Sequence, residues 1–184
     1  MNSGLIASRY AKAFLMYVQE AGSGEKVYSQ ISRLVHVIGE LPQMKTYLED
    51  SSDVSLERKI SLLSAALESP VDDAIADFLK LITRHHREEY FHRMLLSFIE
   101  QYRVANNIKV GRVVTAVPYD DLGDRLEGIF HDRTGAEVHL IEEVNPDIIG
   151  GFIFELDGYR MDASVETQLA RIRRQLVEKN NRIV

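Results

Sequence analysis

A chain of 184 residues with 28 acidic and 22 basic side chains, a net charge of −6 and no cysteine lacks the basic surplus of a nucleic-acid binder and can form neither a disulfide nor a thiolate metal site. Hydrophobic residues make up 45% of it, enough for one or two small cores, and no apolar run approaches the roughly 18 residues that span a bilayer. The opening MNSGLIASRY has neither the basic-then-apolar layout of a secretory leader nor the arginine content of a transit peptide, so a bacterial cytoplasmic protein is expected.

The first hundred residues carry a helical period. Ile6, Tyr10, Ala13, Phe14, Tyr17 and Val18 recur at three- and four-residue steps, with Ser3 a candidate cap and Gly22 placed for a left-handed C-terminal residue. After Gly24 a second stripe runs through Val27, Tyr28, Ile31, Leu34, Val35 and Ile38 until Pro42. Met44, Tyr47 and Leu48 suggest a short third helix, and EDSSD a turn. Ser55 caps a fourth helix through Leu56, Ile60, Leu63 and Leu67. Pro70 is read as the start of a fifth, with Val71, Ile75, Phe78, Leu79 and Ile82. RHHREE breaks the pattern before a sixth, with Phe91, Met94, Leu95, Phe98, Ile99 and Tyr102. Six short helices with brief connections predict a compact bundle.

Near Asn106-Asn107 the period changes. IKVGRVVTAVP is rich in β-branched residues and reads as a strand. Residues 120 to 134 are amphipathic through Leu122, Leu126, Ile129 and Phe130, closed by Gly135, and EVHLIEEV alternates like a strand. GFIFEL and YRMD flank Asp157-Gly158, a dipeptide suited to a type I′ hairpin. Asp162 or Ser164 caps a last helix with Val165, Leu169, Ile172 and Leu176 on one face. The expected fold class is α+β: a six-helix bundle over 1–106, then a small α+β domain over 107–184 in the order β-α-β-β-β-α.

The residue types that do chemistry are present, but not in working arrangements. Gly150-Gly151 precedes a strand instead of opening a helix and no Lys-Ser/Thr follows, so a bulge or close backbone crossing fits better than a phosphate loop. Gly22-Ser23-Gly24 lies between two helices and is only half of a dinucleotide fingerprint. Asp162 and Ser164 have no neighbouring histidine and no G-x-S-x-G frame, and both suit capping. The pairs Asp72-Asp73, Glu88-Glu89, Asp120-Asp121 and Glu142-Glu143 do not share a face, and most sit near helix starts where negative charge complements the dipole. His85-His86 lacks chelating spacing. No catalytic residue, cofactor or metal site is therefore assigned. Arg171, Arg173, Arg174, Lys179 and Arg182 make the C-terminal end basic, which suits a helix C-terminus, an acidic protein partner, or nucleic acid and membrane, though Glu166 and Glu178 interrupt it.

Two stretches at opposite ends carry a resemblance. IASRYAKAF, Ile6 to Phe14, is similar to the apolar-small-Arg-Tyr-Ala-x-Ala-apolar opening of the delta subunit of F-type ATP synthase, the oligomycin-sensitivity-conferring protein of mitochondria. Val144-Asn145-Pro146-Asp147-Ile148-Ile149-Gly150-Gly151-Phe152, then Asp162-Ala163-Ser164 and the rhythm Leu169, Ile172, Leu176, resembles that family's C-terminal motif. Phe154 stands where the family has an aliphatic residue, and Asp157-Gly158 is one of several turns found there.

The resemblance implies a peripheral-stalk subunit without an active site, peripheral to the cytoplasmic side of the bacterial inner membrane and not inserted in it. It implies that the N-terminal domain takes an N-terminal helix of the alpha subunits between its first and fifth helices, and that the C-terminal domain takes the C-terminal end of the b subunit. The expected groove residues are Tyr10, Ala13, Phe14 and Tyr17 with Ile75, Phe78, Leu79 and Ile82. Gly150, Gly151, Asp162 and Ser164 are expected to be structural. The stalk contact is left between the basic end of the last helix, with Arg171 and Arg174, and the hairpin edge from Phe152 to Met161. No nucleic acid is expected as a partner. An RNA-binding or regulatory module is the alternative, and the acidity and the absence of an RNP-like or GxxG motif count against it.

Overall fold

The computed structural model describes residues 3–50, 55–119, 122–156 and 158–180, and the chain divides into two compact units, Met1–Asn106 and Asn107–Val184. The first contains α1 (Ser3–Glu20), α2 (Gly24–Glu40), α3 (Pro42–Glu49), α4 (Leu56–Leu67), α5 (Asp73–Arg84) and α6 (Phe91–Ala105).

Local chemistry sets the ends of these helices. Gly22 takes φ +67, and Ser23 N–H reaches back to the Val18 carbonyl at 3.0 Å, closing α1 in the left-handed fashion glycine permits. Ser55 Oγ accepts from Arg58 N–H and caps α4. Helix α5 begins three residues later than Pro70 suggests, because Asp72 is its cap: the carboxylate accepts from Ala74 N–H at 3.1 Å and pairs with Lys26 at 2.8 Å. The side chain of Ser3 lies outside the described residues, as does most of the EDSSD turn.

Five aromatic rings run through the bundle. Phe78 of α5 stacks on Phe14 of α1 at 4.2 Å; Phe14 meets Phe98 of α6 at 5.1 Å; Phe98 meets Tyr102 at 6.0 Å; Tyr102 stacks on Tyr28 of α2 at 4.5 Å. One chain of ring contacts thus ties four helices, each pair adding geometric preference to its buried area. Ala7, Ala11, Phe14, Leu15 and Val18 are the buried residues of α1. The stripe read from the sequence therefore divides: Phe14 and Val18 belong to the core, whereas Ala13 and Tyr17 stay exposed and Tyr10 is half-buried. Helix α4 carries a surprise at Lys59, which is 1% exposed. Its ammonium donates to the carbonyls of Leu48, at 3.0 Å, and Asp50, so it satisfies the C-terminal end of α3. Burial pulls its pKa down, opposed by the charges of Glu88 and Asp50.

The second unit is β1 (Ile108–Thr115), α7 (Leu122–Thr134), β2 (Glu137–Val144), a 3₁₀ turn (Pro146–Ile148), β3 (Phe152–Leu156), β4 (Tyr159–Asp162) and α8 (Val165–Asn180). The sheet order is β2-β1-β3-β4, with β1 and β2 parallel and the other pairs antiparallel. Phe130 of α7 stacks on Phe154 of β3 at 4.6 Å, which gives the aromatic at 154 its place in the core. The edge strand β2 is guarded by carboxylates. Leu140 N–H donates to Glu127 Oε1 at 2.6 Å, and Gly123 N–H at the start of α7 donates to Glu142 Oε1 at 2.9 Å. An outward strand donor and an orphan helix donor are satisfied together. A ladder of charge, Glu143–Arg112–Glu155–Arg160, crosses all four strands at 2.9, 3.1 and 3.1 Å. Asp120, Asp121 and Asp157 lie outside the described residues; Gly158, at φ +80, holds the second turn position of the hairpin.

Candidate functional site

Helices α1 and α5 leave a cavity of about 370 Å³ between them. Its walls are Tyr10, Ala13, Phe14 and Tyr17 from α1 and Ala74, Asp77, Phe78 and Leu81 from α5. Both sets follow the i, i+3, i+4, i+7 spacing of one helical face. The stacked Phe14–Phe78 pair, 4% and 5% exposed, is the floor; Tyr17 and Leu81, 50% and 43% exposed, stand at the rim. Ala13 and Ala74 keep the walls low between the aromatic groups. A larger hollow of about 570 Å³ on the other flank of α1 is walled by Lys12, Gln19, Ser97, Glu100 and Gln101 as well as apolar groups, so the α1–α5 groove is the more apolar of the two.

Five of the expected groove residues line it: Tyr10, Ala13, Phe14, Tyr17 and Phe78. Ile75, Leu79 and Ile82 do not; all three are 0% exposed and form the inward face of α5. Of the strong apolar stripe of α5 only Phe78 reaches the groove; burial against the bundle consumes the rest. Beside Phe78, α5 offers Ala74, Asp77 and Leu81, a mixed face that an apolar pattern search passes over. Leu81, lying off the main stripe, is the sequence signal that could have pointed there.

The C-terminal motif resolves into one knot of backbone and side chains. Gly151 sits at φ +76, and a Cβ there would lie 2.2 Å from the Ala163 carbonyl oxygen. Val165 N–H donates to Gly150 O at 2.9 Å and Ala163 N–H to Phe152 O at 2.9 Å. Ser164, 1% exposed, is the cap of α8: its Oγ accepts from Thr167 N–H at 3.2 Å. Asp162 supports it, accepting from Ser164 N–H (3.0 Å), Ser164 Oγ (2.7 Å) and Thr167 Oγ1 (3.1 Å). Those hydrogen bonds, Ser164's foremost, hold the Asp162 carboxyl below the usual carboxylate range. The side-chain oxygens of Asp162 and Ser164 are thus engaged in starting α8.

Helix α8 itself lies open. Val165, Leu169 and Ile172 are 36%, 54% and 52% exposed, and Arg171 and Arg174 are exposed without an ion pair among the described residues. The side chains of Leu176 and Lys179, and all of Arg182, lie outside those residues. Among the described residues no three His, Asp or Glu side chains gather to hold a metal, and no helix is long and apolar enough to cross a membrane.

Residues 6–176 match the model of the ATP synthase delta (OSCP) subunit family. The chain is 34% identical to ATP synthase subunit delta of Phocaeicola vulgatus over 186 residues, and 34% identical to that of Bacteroides thetaiotaomicron over 187, with all of each chain covered. A chain in the structure of the Toxoplasma gondii mitochondrial ATP synthase hexamer shares the fold at a TM-score of 0.61 and 21% identity, over 93% of this chain and 97% of that one.

Proposed function

The chain belongs to the ATP synthase delta (OSCP) family and is a peripheral-stalk subunit of ATP synthase, and on that premise we propose that it is a passive clamp whose α1–α5 groove holds an N-terminal helix of the alpha subunit. The observation that carries the reading is the groove itself: an apolar trench built in part by Tyr10, Ala13 and Phe14 of the N-terminal motif. A helix laid in such a trench buries its own i, i+3, i+4, i+7 face. The aromatic floor supplies the anchors on which tight interfaces concentrate their energy. A stator contact that outlasts many rotor turns calls for nanomolar binding, about −12 kcal/mol.

The other end of the clamp is α8. Three large apolar side chains on one exposed stripe, beside Arg171 and Arg174, suit an amphipathic helix with acidic flanks. We assign it to the C-terminal end of the b subunit, in preference to the hairpin edge, because Tyr159–Asp162 offers only a four-residue strand. No bond-making chemistry is proposed: the polar residues of the C-terminal motif are spent on capping. The protein would lie on the cytoplasmic face of the inner membrane as part of the complex.

The absence of cysteine gives a direct test. A13C and L169C, introduced one at a time, should react readily with a maleimide in the free chain and at least tenfold more slowly in the assembled enzyme. A cysteine at position 13 that reacts equally fast in both would remove the groove from the interface.

A further inference from the structure

The groove has a polarity that its apolar floor conceals. Of the eight residues that line it, seven are uncharged and one, Asp77, is an acid; no cation is among them. Asp77 makes no ion pair and accepts no side-chain hydrogen bond among the described residues, whereas Asp72, the cap of the same helix, is matched by Lys26 and by Ala74 N–H. The other polar groups on the walls are the phenols of Tyr10 and Tyr17, likewise without a hydrogen-bond partner among the described residues. The carboxylate and the tyrosine ring faces favour a cation, and the phenols, able to accept as well as donate, are compatible with one.

Asp77 is exposed in the free chain. A helix seated in the groove would cover it, and a carboxylate that loses water without gaining a partner weakens the complex. Resting on the reading given above, we propose that the helix filling this groove carries a lysine or arginine directed at Asp77, flanked three or four residues to either side by the apolar residues that meet Phe14 and Phe78. The apolar ridge supplies affinity; the cation fixes register and direction, because only one sliding position of the helix brings it to Asp77. Lys80 lies one turn along α5 and makes no ion pair with Asp77; a guest cation therefore has no competitor in contact with the carboxylate.

The test is a double-mutant cycle on the full chain, with a synthetic peptide of the first six or so helical turns of the cognate alpha subunit. Binding is measured by calorimetry for the wild-type chain, D77N and D77L, against the native peptide and against peptides with each Lys or Arg replaced by Gln. D77N should weaken binding about tenfold at low salt and less at about 0.5 M salt. One peptide cation should lose its effect when D77N is present. Equal binding by D77N, tighter binding by D77L, or the absence of any coupled cation would overturn the proposal while leaving the groove as the site. No binding of the native peptide by the wild-type chain would overturn the groove reading and this proposal with it.

Discussion

Gly151 illustrates how much one residue can decide. Its φ of +76 strains an ordinary side chain, and the space where a Cβ would go is already occupied by the Ala163 carbonyl at 2.2 Å. G151A should cost ~3 kcal/mol or more in urea unfolding of the second unit. Gly158 is the control: it is also left-handed, at φ +80, but faces open space, so G158A should cost only about 1 kcal/mol. Equal losses would show that conformation alone, and not the close crossing, makes Gly151 necessary. Asp162 acts at the same scale through charge. Its carboxyl pKa is depressed in the folded chain by the hydrogen bonds from Ser164 and Thr167. A depressed folded pKa contributes stability that is present above the unfolded value, about 3.9, and is lost as pH falls through the lower folded value. D162N should therefore be less stable than wild type at pH 7, by an amount that solvent screening at this exposed site keeps small. The gap should close only below about pH 4, which urea unfolding at stepped pH would follow.

At the scale of elements, helices were legible because their punctuation is local. Gly22, Ser55 and Ser164 each do at a helix end what their residue type suggests. The shift from a period near 3.6 to strand alternation marks the change between the two units. What was not legible is which face of a helix meets what. On α1, the groove-lining and buried residues interleave, since a helix with two apolar neighbours has one continuous wide stripe. On α5 Ile75, Leu79 and Ile82 lie inward and leave the groove to Phe78, Ala74, Asp77 and Leu81. Lys59 reads as a solvated lysine in sequence, and only the meeting of α3 and α4 buries it. The roles of Glu127 and Glu142 are likewise tertiary: both reach between α7 and β2. Their pairing predicts that E127A and E142A each destabilise the second unit by about 1–2 kcal/mol. Thermal unfolding would detect this, and E127A should in addition speed amide exchange at Leu140. An unchanged exchange rate there would mean that solvent replaces Glu127 without cost.

At the scale of the whole molecule, the chain has two units, each with an exposed apolar surface, and the proposed reading makes it a connector between two partner helices. The first offers a trench with an aromatic floor, the second an exposed amphipathic helix. Neither surface assembles a reactive constellation among the described residues, and the capping network uses the carboxylate and hydroxyl that sequence alone might assign to chemistry. The measurement that bears most directly on this account is the affinity of the alpha-subunit N-terminal peptide for the full chain and for Y10D. Tyr10 is half-buried at the trench wall, so an aspartate there can remain hydrated in the free chain but loses its water under a guest helix. The account predicts that Y10D keeps the helical content and unfolding midpoint of the wild type within a few degrees, yet binds the peptide more weakly by over ~2 kcal/mol, roughly thirtyfold. A well-folded Y10D that binds as tightly as the wild type would contradict it.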